Sequence, residues 1–241
     1  MKLPFQQRVR LASRRCLASL SNKRLLHFLH IGKTGGTAAK LALAELGSAP
    51  RHQLFLHGHR MTLADVPVGE GTLFFLRDPV SRFISGFNSR LRKGRPRTYV
   101  EWSAPEAAAF AIFKTPDDLA SGLASTDAGR RADAMRAFEG IQHVRDRYDK
   151  WFGSPEYLLK RRNDIFFAGR QERLTDDVKR LFDCLNVPTD PRMPEDDVAA
   201  HRAPARMCTE LSPRSETILK ELLAADYRYL DLIDEWFGGH S

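Results

Sequence analysis

Two stretches of the chain carry residue types and spacings suited to binding an anionic ligand. The first is Lys33-Thr34-Gly35-Gly36-Thr37, inside "LLHFLHIGKTGGTAAKLALAEL" (Leu25–Leu46). Adjacent glycines let a backbone turn closely around an anion. The amides that open the following helix point at it with a favourable dipole. Lys33, at the loop's entrance, can reach an oxygen on the next group along. The nucleotide-triphosphate loop reads GxxxxGK[ST]; here "GKT" at Gly32–Thr34 would require glycine where His27 stands, so that match fails. A plain strand–helix turn around a buried ion pair is the alternative reading of these residues alone.

The second stretch is "RDPVSRFISGF", Arg77–Phe87. It puts an arginine at the end of an apolar run and Ser85 on the helix that follows. Ligands of open α/β sheets bind at the C-terminal ends of the strands. Taken alone, Arg77 could instead partner Asp78, and Ser85 could be a solvated helix residue.

The elements that would position these groups follow from the pattern around them. Leu25–Ile31 reads as a strand and Thr37–Leu46 as a helix, with Gly47 placed to end it. A short strand is expected at Gln53–Leu56. "TLFFLR", Thr72–Arg77, is a continuous apolar run of the kind buried on both faces of a parallel sheet. Asp78 and Pro79 supply an N-cap and a first-turn proline. Val80, Phe83, Ile84, Phe87 and Leu91 then form one helical stripe. Ile165–Gly169 reads as another buried strand, Leu174–Leu185 as a helix, and the run from Ser212 as one long C-terminal helix. Strands alternating with helices predict an α/β fold, with a mainly parallel sheet flanked by helices. Lys93–Asp164 is polar and mostly helical, with Met135, Phe138, Ile141, Tyr148, Trp151 and Phe152 as its core stripe. Pro188–Pro204 is proline-rich and reads as a loop.

Composition narrows the class. At 241 residues, 42% hydrophobic and 28% charged, the chain suits one ordinary globular domain. The net charge of +8 favours an anionic partner. Cys16, Cys184 and Cys208 lie far apart and read as free thiols of a reducing compartment. The eight histidines show no zinc-ligand spacing. The basic segment 1–24 lacks the apolar core of a signal peptide and the length of a membrane span, so the expected location is cytoplasmic. Aromatic–basic interleaving on a sheet, or a helix-turn-helix, would mark a nucleic-acid binder; neither is found.

"HIGKTGGT" and "FLRDPVSRFISGF", in that order, resemble the two signatures of the sulfotransferases that use 3′-phosphoadenosine 5′-phosphosulfate (PAPS). The similarity is to their carbohydrate branch, of the heparan and uronyl 2-O-sulfotransferase kind. "FFAGRQERLTDDVKRLFDCLNVP" is similar to that family's later strand–helix block. The resemblance implies a P-loop-like sulfotransferase fold over residues 1–241 as a single domain, with 1–24 a basic extension and 93–164 a helical acceptor-side insertion. It implies that Lys33, Thr34, Gly35, Gly36, Thr37 and Ala38 hold the 5′-phosphosulfate, and that Arg77 and Ser85 hold the 3′-phosphate. The family's loop usually has proline before the lysine; here Gly32 takes that place.

Sulfuryl transfer needs in-line attack by an acceptor hydroxyl, stabilisation of the leaving oxygen and a base, much as phosphoryl transfer does. Lys33 is the candidate for the leaving oxygen. "LFLHGHR", Leu54–Arg60, resembles the His-Gly-His stretch that supplies the family's base, which points to His59 first and His57 second. An exposed loop pair is the bland reading. His143 is a weaker candidate at the acceptor, and His201 with Arg202 a weaker one over the cofactor. The run "RLRKGRPR", Arg90–Arg97, extended by Lys160–Arg162, is either solvated or a rim for an acidic acceptor such as a uronic-acid polysaccharide. The expected partner is therefore a carbohydrate or other hydroxyl acceptor, with PAPS as donor, no metal, no nucleic acid and no integral membrane segment. A metal-dependent nucleotide kinase is the competing reading.

Overall fold

The computed structural model describes residues 22–46, 49–96, 98–194 and 207–237. The chain divides into two compact units. Unit 1 takes Met1–Leu76, Tyr148–Pro194 and Leu232–Ser241; unit 2 takes Arg77–Arg147 and Glu195–Asp231. The helical segment expected at 93–164 is thus shared between them.

Among the described residues, unit 1 is built on four strands, β1 (Arg24–Phe28), β2 (His52–Leu56), β3 (Gly71–Leu76) and β4 (Ile165–Arg170). Every pairing is parallel and the order is β2-β1-β3-β4. The bulky run in β3 is buried on both faces, as its composition requires. Leu73 and Phe75 join Leu26, Phe28 and Phe167 in a core closed by helix α1 (Gly36–Glu45), through Ala39, Ala42 and Leu43, and by Val178, Leu181 and Phe182. Phe74 turns the other way and meets Phe152 with ring centroids 4.7 Å apart. Because β1 and β3 are parallel neighbours, their C-terminal ends lie on one edge of the sheet.

Unit 2 begins with α2 (Pro79–Leu91). Asp78 accepts the Ser81 amide at 2.8 Å and Pro79 sits at the first helical position, so the expected cap is in place. Val80, Phe83 and Phe87 enter the core, with Ile84 and Leu91 packed against it. Helices α3 (Ala104–Ile112), α4 (Pro116–Leu123) and α5 (Ala128–Gly140) fill the rest through Phe110, Phe113, Leu119, Ala134 and Phe138. In unit 1, α6 (Asp149–Phe152), α7 (Pro155–Lys160) and α8 (Leu174–Cys184) follow.

Three expectations need correction here. The C-terminal run is two helices, α9 (Pro213–Leu222) and α10 (Ala224–Phe237). The break falls at Leu223, whose carbonyl accepts the Asp226 amide at 2.8 Å in a tightened turn. "ELLAAD" contains no glycine or proline to announce it; buried Leu223 and Asp226 impose it through packing. Met135 is 37% exposed; of its stripe, Phe138 and Ile141 enter the core of unit 2, and Tyr148, Trp151 and Phe152 are buried in unit 1. Helix α1 starts at Gly36, one residue before Thr37. Gly47 and the second half of the Pro188–Pro204 loop lie outside the described residues, and 188–194 carry neither helix nor strand.

Candidate functional site

The turn after β1 is built from unusual backbone. Lys33 has φ 69° and Gly35 φ 77°, both in the left-handed region. For lysine that conformation costs about 1 kcal/mol or more, and such strain concentrates where a turn has a task. Gly35 serves as N-cap of α1 and offers no side chain to the helix amides. The amides of Gly36, Thr37 and Ala38 are the first-turn donors that helix geometry leaves without an intrahelical acceptor. Both positions favour glycine, Gly35 through its positive φ and Gly36 through the close approach of a side chain. A Cβ on Gly35 would lie 2.8 Å from Leu174, and one on Gly36 would lie 2.4 Å from the His30 ring. Thr34 is buried and its hydroxyl donates to the Ile31 carbonyl at 3.1 Å, so that side chain braces the loop from within. Lys33 and Thr37 are half-buried and Ala38 is buried.

The loop after β2 brings both sequence-named histidines into unit 1. His59 is exposed, and its Nδ1 lies 2.9 Å from the His30 carbonyl oxygen. A carbonyl can only accept, so Nδ1 carries the hydrogen and Nε2 of neutral His59 keeps its lone pair. The His59 and His30 rings lie 3.9 Å apart, and His30 is the ring against Gly36. One histidine thus touches both the glycine turn and His59. The Trp151 indole donates to the His59 carbonyl at 3.1 Å.

His57 is placed differently. Its Nε2 lies 2.9 Å from Nδ1 of His27, whose Nε2 lies 2.7 Å from the Glu70 carboxylate. Burial first, then His27 and Lys40, push the His57 imidazole down to about 4, with Asp65 opposing. Lys40, itself lowered by burial, donates to the His57 carbonyl at 2.8 Å. Sequence alone reads His27 and His30 as packed or hydrogen-bonded residues of the first strand and does not single out Glu70 or Lys40. A histidine inside the apolar "RLLHF" needs a polar partner, but nothing local shows that it is Glu70.

In unit 2, Arg77 directly follows β3 in the chain and is half-buried; Ser85 is half-buried in the second turn of α2, one turn beyond Ser81. His143, at φ 70°, packs its backbone on Gly86, where a Cβ would lie 3.1 Å away, and its Nδ1 is 3.8 Å from Asp146. His201 and Arg202 lie outside the described residues.

The basic runs are corrected in part. Arg90 is buried and grips Glu106 through two bonds, 2.6 and 2.8 Å, besides two backbone carbonyls. Burial pushes the Glu106 carboxyl up, but hydrogen bonds from Arg90 and Ser103 outweigh it and hold the group at about 2. Lys93 pairs with Glu101 at 2.5 Å. Arg161 is buried too, pairing with Asp164 at 2.5 Å and donating to the carbonyls of Leu63, Val66 and Pro67. Arg90 and Arg161 are structural ties and are not part of a rim. Their partners lie beyond the charge runs, so the runs alone could not show this.

Among the described residues, no cluster of three or more His, Cys, Asp and Glu is arranged to hold a metal. None of the described helices is long and apolar enough to cross a membrane. The parallel sheet and the helices around it define the class of α/β proteins. A sequence model of the sulfotransferase family matches residues 20–232, and the chain belongs to that family. No curated protein and no solved structure matches it.

Proposed function

We propose that this enzyme transfers a sulfuryl group from PAPS to a hydroxyl of an acceptor, a carbohydrate, with His59 as base. The observation that carries this reading is the pairing of an uncapped, glycine-built helix start with a histidine whose tautomer is set by a backbone carbonyl. The turn fits a phosphosulfate: its glycines leave room that a Cβ would fill, and its donors are backbone amides. PAPS supplies an activated sulfuryl group when bound. The amides of Gly36, Thr37 and Ala38 hold the anionic oxygens, and Lys33 neutralises charge developing on the leaving oxygen. Arg77 and Ser85 recognise the 3′-phosphate by side chain. His59 Nε2 takes the acceptor's hydroxyl proton.

His57 is the weaker candidate for base, since its Nε2 is committed to His27 and its basicity is reduced. The carbohydrate assignment rests on the resemblance of "HIGKTGGT" and "FLRDPVSRFISGF". A cytoplasmic site of action suits Cys184 and Cys208, both exposed free thiols.

Calorimetric titration with 3′-phosphoadenosine 5′-phosphate, without metal, tests the donor. Tight binding that weakens for adenosine 5′-phosphate is the expected result. Preference for ATP with magnesium would overturn the reading in favour of a phosphoryl-transfer enzyme. Acceptor screening with radiolabelled PAPS, including uronic-acid polysaccharides, then tests the hydroxyl.

A further inference from the structure

The loop that carries His59 is held from its two ends. A Cβ built on Gly58 meets no heavy atom within 4 Å, so packing at Gly58 does not locate the loop. What locates it is the grip on its two flanking histidines. On the His57 side, the amide donates to Phe28 at 3.2 Å, Lys40 holds the carbonyl, and the ring meets His27. On the His59 side stand the His30 carbonyl and the Trp151 indole.

We propose that Glu70 and His27 are positioning residues for His59, forming a Glu70–His27–His57 relay that holds the loop and so maintains the His59 tautomer and aim. The proposal rests on the reading of His59 as base. Its links cross three neighbouring strands. His27 is fully buried on β1; Phe55, its register partner on β2, stacks on it with centroids 5.0 Å apart. The His57 ring lies nearly parallel to His27, 5.1 Å away. Glu70 arrives just before β3 through the turn Pro67–Glu70, closed by the Glu70 amide on the Pro67 carbonyl at 3.2 Å. That turn needs Gly69 at φ 87°. Asp164 accepts the Gly69 amide at 3.0 Å while paired to Arg161, so the buried arginine indirectly fixes Glu70.

The proton count explains why a carboxylate ends the chain. Neutral His27 donates from Nε2 to Glu70 and accepts at Nδ1 from His57 Nε2. Charged His27 donates from both nitrogens, to Glu70 and to His57. Either state keeps both links. If both imidazoles are charged, N–H faces N–H across 2.9 Å and the His27–His57 link is lost. The titratable and charged groups facing His57 are His27 from β1, Lys40 from α1 and Asp65 from the short turn Leu63–Asp65; Glu70 stands behind His27. The low basicity of His57 agrees with a relay that resists the second proton.

Long-range nitrogen–proton NMR of the histidine rings, from about pH 8 to about pH 4, reads tautomers and midpoints directly, without an acceptor. In the wild-type protein we expect His59 protonated at Nδ1 while neutral, and a shared resonance pattern for His27 and His57. His27→Phe keeps the stack with Phe55 and removes the relay; His59 should then show mixed tautomers. Glu70→Gln keeps a hydrogen-bond acceptor without the charge. It should preserve the His59 pattern and lower the first midpoint of the His27–His57 pair by about one pH unit. An unchanged His59 pattern in folded His27→Phe would overturn the proposal. If that variant does not fold, Glu70→Gln decides: a lowered midpoint supports the relay, and a wild-type titration overturns it. Full turnover in His59→Ala would instead overturn the base assignment while leaving these spectra as they are.

Discussion

The two strand-to-helix turns, His30–Gly36 after β1 and Arg77–Pro79 after β3, start their helices in opposite ways. Helix α2 carries its own anion: Asp78 caps the Ser81 amide, and its second oxygen accepts the Tyr227 hydroxyl at 2.7 Å. Pro79 removes one donor outright. Helix α1 has Gly35 in the left-handed region and no side-chain cap. A helix start with a carboxylate on it is already satisfied, whereas an uncapped one leaves its amides for an outside anion. The choice of cap thus separates the two turns although each links a parallel strand to a helix. In the proposed function this becomes a division of labour, with backbone recognition at Gly36–Ala38 and side-chain recognition at Arg77 and Ser85.

The largest expected effect lies beside the uncapped turn. His59→Ala should lower turnover by about 10²–10⁴, with affinity for 3′-phosphoadenosine 5′-phosphate unchanged. Steady-state kinetics beside calorimetry separates the two; unchanged turnover would remove His59 from the mechanism.

Next comes the side-chain half. Arg77→Ala should cost roughly 1.5–3 kcal/mol of binding, the range for a charge-assisted hydrogen bond. The loss should appear for the 3′-phosphorylated nucleotide and vanish for adenosine 5′-phosphate. A variant that keeps its preference for the 3′-phosphate would place that recognition elsewhere.

The backbone half resists side-chain deletion and has to be broken by addition. Gly36→Ala puts a methyl 2.4 Å from the His30 ring, and overpacking of this kind costs roughly 1–3 kcal/mol. Because His30 also holds His59, affinity for adenosine 5′-phosphate and the NMR pattern of His59 should change together. A methyl tolerated at both readouts would mean that the close approach of His30 to Gly36 has no functional weight.

Local signals made much of this legible. "TLFFLR" followed by Asp-Pro announced β3 and the capped start of α2, because a buried strand, a cap and an N1 proline are each written in adjacent residues. The glycine turn was legible for the same reason, down to its failure to match GxxxxGK[ST]. What stayed hidden depends on residues distant in sequence. Arg90 reads as part of a basic run until Glu106 closes on it, and His27 reads as a packed or hydrogen-bonded strand residue until Glu70 arrives from the turn before β3. The break at Leu223 has no local marker, since "ELLAAD" holds no glycine or proline and buried neighbours decide.

The smallest expected effect lies at the capped turn and sharpens the contrast. Asp78→Ala removes an N-cap, worth about 1 kcal/mol, and the acceptor of the Tyr227 hydroxyl. Burial first, and then Asp78, hold that hydroxyl well above the usual phenol range, so Tyr227 stays protonated at any ordinary pH and the loss should not depend on pH near neutrality. Thermal denaturation should show a modest, pH-independent fall. Affinity for adenosine 5′-phosphate should be unaffected, because in the proposed function the amides of α1 hold the 5′ group. If removing the Asp78 carboxylate instead strengthened binding of inorganic phosphate, α2 would be acting as a second anion site that its own cap suppresses. The division between backbone and side-chain recognition would then have to be redrawn.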